Sequence, residues 1–329
     1  GRLPFLLLNG SSGIAVGFAT EFLSHNLNEV VEGAKLLIEK PKATLDELLA
    51  VIPGPDFPTG SVLISPAEEI RKVYEEGRGS LRLRARWRVE TEGKKWKLVF
   101  FEIPQGASAE KLLEEIQEIM DPKPKEKKGK KLPLSPDQLR KKKLFGELIE
   151  DYQNHSDFEN KIRVVITPRD KKMDPKALAD VLFAHTMLEK NVPANFVSLD
   201  RMGAPRPSNI LDWLRQWCDF RIETVRRRLT FEKNRVDSRL HILAGRLSIL
   251  DRIEEVIKVL RFSEDPKADL MEKFGLDDIQ AEDVLEMRLR SVANLEKTKL
   301  LDEQGKLKVE QARLEKLLGS DKALKKLVI

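Results

Sequence analysis

Apolar residues return at spacings of three and four along residues 27–40. Leu27, Val30, Val31, Ala34, Leu37 and Ile38 fall on one stripe and predict a helix that Pro41 ends. A second helix is predicted from Thr44, with Glu47 three residues on in the capping-box pattern and Leu45, Leu48, Leu49 and Ile52 as its apolar face. Residues 53–60 read as a Pro- and Gly-rich loop, 62–64 as a short strand, and 66–74 as one or two helical turns. The period then changes to two. Leu81, Leu83, Ala85, Trp87 and Val89 alternate with Arg82, Arg84, Arg86 and Arg88, which predicts a single strand over 78–89 with one buried face. Residues 94–101 form its returning partner after the Glu92-Gly93 turn. Further on, 109–120 and 175–188 read as amphipathic helices and 162–167 as an apolar strand. Residues 121–131, nearly all Lys, Pro, Gly and Glu, read as a flexible insertion, and Lys141-Lys142-Lys143 is treated the same way. The first 205 residues are therefore expected to be an α+β domain.

From Pro207 the texture changes. Apolar positions from Leu211 to Leu250 recur mostly at three and four, with no proline before Pro266. This predicts a helix of roughly 50 residues, ~75 Å long at 1.5 Å per residue. Near the end of the chain Leu300, Leu307 and Leu314 repeat at seven, with Gln304, Gln311 and Leu318 in the other seam position. The expected architecture is an all-α second half. An outgoing helix over 206–250 is paired in an antiparallel coiled coil with a returning helix over 294–329. A small helical domain at 251–293 caps the tip and is expected to bury its apolar face by self-association.

Composition narrows the partners only mildly. The 329 residues are 41% hydrophobic and 34% charged, with a net charge of +5. A polyanionic partner fits such a balance without being demanded by it. Cys218 is the lone cysteine, which excludes an internal disulfide framework and points to a reducing, intracellular setting. His25, His155, His185 and His241 are far apart, so no metal site built locally is expected, and no run of about twenty apolar residues suggests a membrane span. The chain starts at Gly1 and reads as a fragment of something longer.

Two stretches carry candidate chemistry. Gly10-Ser11-Ser12-Gly13 reads as a flexible platform before Ile14. A lone branched apolar side chain there serves either as a plug in a local core or as a wedge between stacked base pairs. The arginines of 82–88 stand about 6–7 Å apart on one strand face. Such a single-sign row repels itself unless an anion is near, and is either a solvated face or a phosphate track.

In order along the chain, Asn9 to Thr20 with His25-Asn26, Gly54 to Thr59, Gly77 to Ala85, Arg226 to Leu229, His241 to Leu243, and Gln280 to Leu289 with Leu295-Glu296 resemble the breakage–reunion subunit of bacterial type IIA topoisomerases. The resemblance spans essentially the whole chain. The short insert from Glu264 to Leu276 is more like the topoisomerase IV branch than gyrase. Phe22-Leu23-Ser24 departs from the family's usual Ile-Pro-Pro before His25-Asn26.

The resemblance implies a tower domain over 1–205, then the coiled coil and an exit gate. It implies Ile14 as the DNA-intercalating side chain, with Asn9, Ser11, Ser12, Arg78, Arg82 and Arg84 on DNA, and Val284, Leu285, Met287 and Leu289 at a dimer gate. The family's nucleophilic tyrosine follows an arginine. Tyr74 and Tyr152 do not, so the catalytic residue is expected outside this chain. The implied partners are double-stranded DNA, a second copy of the chain in a homodimer, and the B subunit of the topoisomerase. No cofactor is expected in this fragment, and the whole enzyme's magnesium and ATP would come through the B subunit. The same features leave open a fragment of the gyrase A subunit, or a non-enzymatic coiled-coil dimer that binds nucleic acid.

Overall fold

The computed structural model describes residues 2–93, 95–123, 133–287 and 297–329, with the backbone of 126–127 and 130–131. The chain divides into two compact units, 1–217 and 218–329. In the first unit the strands are β1 (Ser11–Ala15), β2 (Phe18–Phe22), β3 (Val62–Leu63), β4 (Arg78–Arg84), β5 (Arg86–Glu92), β6 (Lys95–Glu102), β7 (Glu126–Lys127), β8 (Lys130–Lys131), β9 (Ile149–Asn154), β10 (Val164–Pro168), β11 (Glu189–Asn195), β12 (Val197–Leu199) and β13 (Pro205–Pro207). The helices between them are α1 (Phe5–Asn9), α2 (Leu27–Glu39), α3 (Leu45–Leu49), α4 (Ala67–Glu76), α5 (Ala109–Met120), α6 (Pro136–Leu148) and α7 (Pro175–His185).

One sheet runs in the order β1-β2-β11-β4-β3 and a second in the order β5-β6-β10-β9. The expected single strand over 78–89 is thus two strands in different sheets. Its alternation continues unbroken through Ala85, but the hydrogen-bonding partners change there. β4 pairs with β11 and β3, the Ala85 amide donates to Leu188 O at 2.7 Å, and β5 pairs with β6 after a register shift at Arg86/Trp87. Period two reports which face is buried and carries no information about which neighbour completes the ladder.

Each sheet has its own core. The first buries Phe22, Leu81, Leu83 and Val192. Beneath them Phe22 stacks on Phe196 at 4.9 Å and meets Trp213 at 5.7 Å. The second packs Leu98, Phe100, Val164 and Ile166 against Leu112, Ile116, Phe145, Leu178 and Leu182 of α5, α6 and α7. The Lys-rich 141–143 stretch lies inside α6, which a Ser135–Gln138 capping box starts and Phe145 anchors. Its few apolar positions gave the periodicity too little to work on. The Thr44–Glu47 capping box expected from sequence is formed.

The second unit is helical. α8 (Ile210–Ile249), which begins in the first unit, has 40 residues, shorter than the roughly 50 expected at 1.5 Å per residue. A 3-10 turn at Leu250–Arg252 leads to α9 (Ile253–Phe262), α10 (Pro266–Phe274) and α11 (Asp278–Glu286). These pack Val256, Val259, Leu270, Ala281 and Val284 around Ile249. The return path is α12 (Lys297–Leu318) and a separate α13 (Asp321–Val328), divided at Gly319 with Ser320 capping the second piece. Contacts between α8 and this return descend in number as the helix ascends: Arg226 with Asp321, Lys233 with Glu315, Asp237 with Gln311 and Arg239 with Glu303. The two paths are therefore antiparallel, and Leu300 and Leu314 of the expected seven-residue repeat are buried.

Candidate nucleic-acid interface

Ser11 to Ala15, expected as a flexible run, is the first strand of a hairpin. Ser11 pairs with Phe22, Ser12 with Glu21, Gly13 with Thr20 and Ile14 with Ala19. Local Gly-Ser content reads as loop, but an antiparallel partner a few residues further on satisfies the backbone. Glycine is needed at the ends instead. Gly17 has φ +81 in the two-residue turn, and Gly10 has φ +69 where a Cβ would meet Phe22 O at 2.6 Å.

Ile14 is 94% exposed and Val16, at the turn, is fully exposed. A core plug is thereby excluded for Ile14 within the described chain.

The register places the other candidates. Ser12 pairs with Glu21, Glu21 with Asn195, and Asn195 with Arg78, a continuous rung across β1, β2, β11 and β4. Directly paired residues share a face, and so do residues two apart on one strand. Ile14, Ser12, Arg78, Arg82 and Arg84 therefore share the outward face, and Phe22, Leu81, Leu83 and Val192 share the buried one. Ile14 stands roughly 16 Å from Arg78 and roughly 25 Å from Arg82 by strand spacing and rise.

The arginines are not equivalent. Arg84 is held by Glu189 at 2.7 Å and lies 4.7 Å over the Phe183 ring. Arg86 pairs with Glu102 at 3.3 Å and Arg88 with Glu90 at 2.8 Å. Arg163, also on Glu90 at 2.5 Å, is the main cause of a Glu90 carboxyl held down at about 2. The single-sign row seen in sequence is thus largely neutralised, by Glu189 and Glu102 from other strands and by Glu90 from β5 itself. Arg78 and Arg82 are exposed and have no carboxylate partner among the described residues. On the same face Ser12 Oγ donates to Glu21 at 2.7 Å. Asn9 is exposed at the end of α1, and Ser11 points to the opposite side of the hairpin from Ser12.

The root of the hairpin is fixed from below. Ser24 Oγ donates to Asp56 O at 2.7 Å and the Asp56 amide donates to Ser24 O at 2.9 Å. This is how the Phe22-Leu23-Ser24 variant is seated: Leu23 and Ser24 are buried and tied to the 53–60 loop. Burial lowers the pKa of His25 to about 4. Tyr74 is wholly buried, its phenol pushed well up by the same cause, and Tyr152 donates to Gln117. Tyr74 thus cannot meet a solvent-borne phosphate in this fold.

Of the gate candidates, Val284 lies wholly inside the second unit's own core and Leu285 packs against that core half-buried. Met287 is half-buried just past α11, and Leu289 lies outside the described residues. The resemblance marks these residues as one stretch and does not separate internal from external apolar positions. Ile279, on the apolar face that the spacing gives this helix, is exposed, and Phe262, 80% exposed, is an apolar surface position of this unit that the spacing did not single out. Sequence reading also missed the hairpin β12–β13, which exposes Leu199 and Met202.

Residues 1–329 match the family described as the A subunit of DNA gyrase/topoisomerase IV. The chain is 48% identical over 329 residues to the DNA topoisomerase 4 A subunit of Neisseria gonorrhoeae, covering all of this chain and 42% of that protein. It is 42% identical to the Haemophilus influenzae protein of the same name, over 99% of this chain and 40% of that one. It is 41% identical to that of Escherichia coli K12, with the same coverage. The chain spans about two fifths of the length of these relatives.

Proposed function

The chain belongs to the A-subunit family of DNA gyrase and topoisomerase IV, and from that premise we propose that it is the part of a topoisomerase IV A subunit that grips and bends the cleaved duplex and holds two copies together. The observation that carries the reading is the shared outward face of Ile14, Ser12, Arg78 and Arg82. Ile14 would enter a base step from the hairpin tip while the two unpaired arginines take phosphates along the flank. The span of roughly 25 Å from Ile14 to Arg82, taken from strand spacing and rise, corresponds to about seven base-pair steps. Bending costs a few kcal/mol, which the added backbone contacts offset.

No residue here is assigned to the cleavage chemistry, and the nucleophilic tyrosine is placed outside this chain. Among the described residues no group of three or more His, Cys, Asp or Glu is arranged to hold a metal ion. Following the resemblance, we assign both magnesium and ATP to the B subunit. Double-strand passage, with decatenation and relaxation, is the activity proposed for the assembled enzyme. The antiparallel path of α8 and α12 supports a coiled-coil arm over 206–250 and 294–329 with the 251–293 domain at its tip. Exposed Phe262 and Ile279, with Met287, support a homodimeric contact there. No helix among the described residues is long and apolar enough to cross a membrane; the cytoplasm is the proposed site of action.

The test is Ile14→Ala in the full-length protein, reconstituted with the B subunit. Bending of a duplex, read as end-to-end fluorescence transfer, is expected to fall while the melting temperature holds. Unchanged bending would remove the wedge assignment.

A further inference from the structure

A carboxylate stands on the face proposed to meet DNA. The register puts two there, Glu189 on β11 and Glu21 on β2. Glu189 is held by Arg84 at 2.7 Å. Glu21, half-buried, has no cation partner among the described residues. Its Oε2 accepts from Ser12 Oγ at 2.7 Å, which fixes the carboxylate on the hairpin, and its Oε1 accepts no hydrogen bond among the described residues. A charge left open on this face repels the backbone of any duplex laid across it.

Its place on the face gives that repulsion a use. By strand spacing and rise, Glu21 is roughly 8 Å from Ile14 and roughly 10 Å from Arg78 between Cα positions. It therefore lies between the wedge and the first open cation. The other polar groups of its rung are donors. Ser12 carries a hydroxyl, and Asn195 carries an amide whose Nδ2 donates to the carbonyl of Ala19, the residue paired with Ile14, at 2.6 Å. Hydroxyls and side-chain amides are ordinary phosphate ligands. With a neutral side chain at position 21, the rung from Ser12 to Arg78 would be one continuous phosphate-binding row. A strand of backbone lying on that row would put Ile14 beside a phosphate and not beneath a base step.

We infer that Glu21 is a specificity-determining residue of the DNA face: its charge bars phosphates from the rung beside Ile14, so that the duplex settles with its backbone on Arg78 and Arg82 and a base step against the wedge. The wrong register is excluded by like charge, a device that lowers affinity and raises selectivity. The inference rests on the wedge-and-phosphate reading for its occupant, and its test separates the two.

Glu21→Gln removes the charge and keeps an acceptor for Ser12, while Glu21→Asp keeps the charge. Each is made in the full-length protein, reconstituted with the B subunit, beside Ile14→Ala. Affinity for a linear duplex is read by fluorescence anisotropy and bending by end-to-end fluorescence transfer. Glu21→Gln is expected to bind about tenfold more tightly and yet bend the duplex less, with the gain in affinity shrinking as salt rises and the melting temperature unchanged. Glu21→Asp is expected to match the unaltered protein in both readings. A side chain that only braced the hairpin would not raise affinity when replaced. Affinity unchanged or lowered in Glu21→Gln, or a Glu21→Asp variant that behaves like it, would overturn the inference and leave the wedge intact if Ile14→Ala bends less. Tighter binding with unchanged bending would likewise overturn it where Ile14→Ala does bend less. Unchanged bending in Ile14→Ala removes the wedge. A tenfold gain in Glu21→Gln would then still support exclusion of the backbone by its charge, and no gain would end both.

Discussion

His25 Nε2 lies 2.6 Å from the Tyr74 hydroxyl, and its Nδ1 lies 3.1 Å from Leu7 O. A carbonyl only accepts, so Nδ1 carries the proton, Nε2 is the acceptor and the phenol donates. One neutral imidazole thereby ties α1, the base of the β1–β2 hairpin and α4 together beneath the proposed wedge.

Tyr74→Phe leaves the buried Nε2 without a donor and is expected to cost about 1–3 kcal/mol in urea unfolding. The native imidazole also sets a pH dependence. Its pKa is depressed in the fold, to about 4. Above about pH 6.5 the ring is neutral in both states and contributes no slope. Between about 6.5 and 4 the unfolded chain binds a proton that the folded chain refuses. Stability therefore falls as the pH drops through that window, by up to ~3 kcal/mol from this group. A flat stability profile from pH 7 to 5 would show that the ring is not held neutral.

Arg82 and Arg84 lie two residues apart on one face yet should separate by assay. Arg82→Ala removes an unpaired guanidinium. It is expected to lower the slope of log affinity against log salt by about 1 while changing stability by less than ~0.5 kcal/mol. Arg84→Ala removes the Glu189 pair and the stacking on Phe183, and is expected to cost about 0.5–1 kcal/mol of stability with a smaller effect on DNA. Equal salt slopes for the two variants would contradict this division.

In the second unit Arg246 meets both oxygens of Asp283 at 2.7 and 2.8 Å, and both side chains are largely buried. The pair fastens the end of α8 to α11, and the Asp283 bond raises the Arg246 pKa. Asp283→Ala strands a largely buried guanidinium and is expected to cost about 2 kcal/mol. Thermal unfolding of the variant, followed by circular dichroism, measures it.

Met287→Asp is expected to shift the chain toward monomer in sedimentation velocity without unfolding it, because Met287 lies beyond the α11 core that Val284 fills. An unchanged dimer would remove Met287 from the gate.

The sequence by itself determined the mixed first half, the helical second half, most helix starts and the apolar face of each element. Those follow from local causes: periodicity, capping side chains such as Thr44 with Glu47, and prolines that stop helices. It also singled out Ile14. What it could not supply was partnership. Alternation over 78–89 is the same whether one sheet or two receives it, and only the ladder splits β4 from β5 at Ala85. Arg82 and Arg84 are identical in pattern. Glu189, 105 residues further along, neutralises one and leaves the other open. The single-residue pairing of Glu21 with Asn195 joins the Ile14 hairpin to the arginine strand. Such pairings depend on chain closure over many residues, which no local window contains, so the face that combines wedge and cations exists only once the tertiary fold is made.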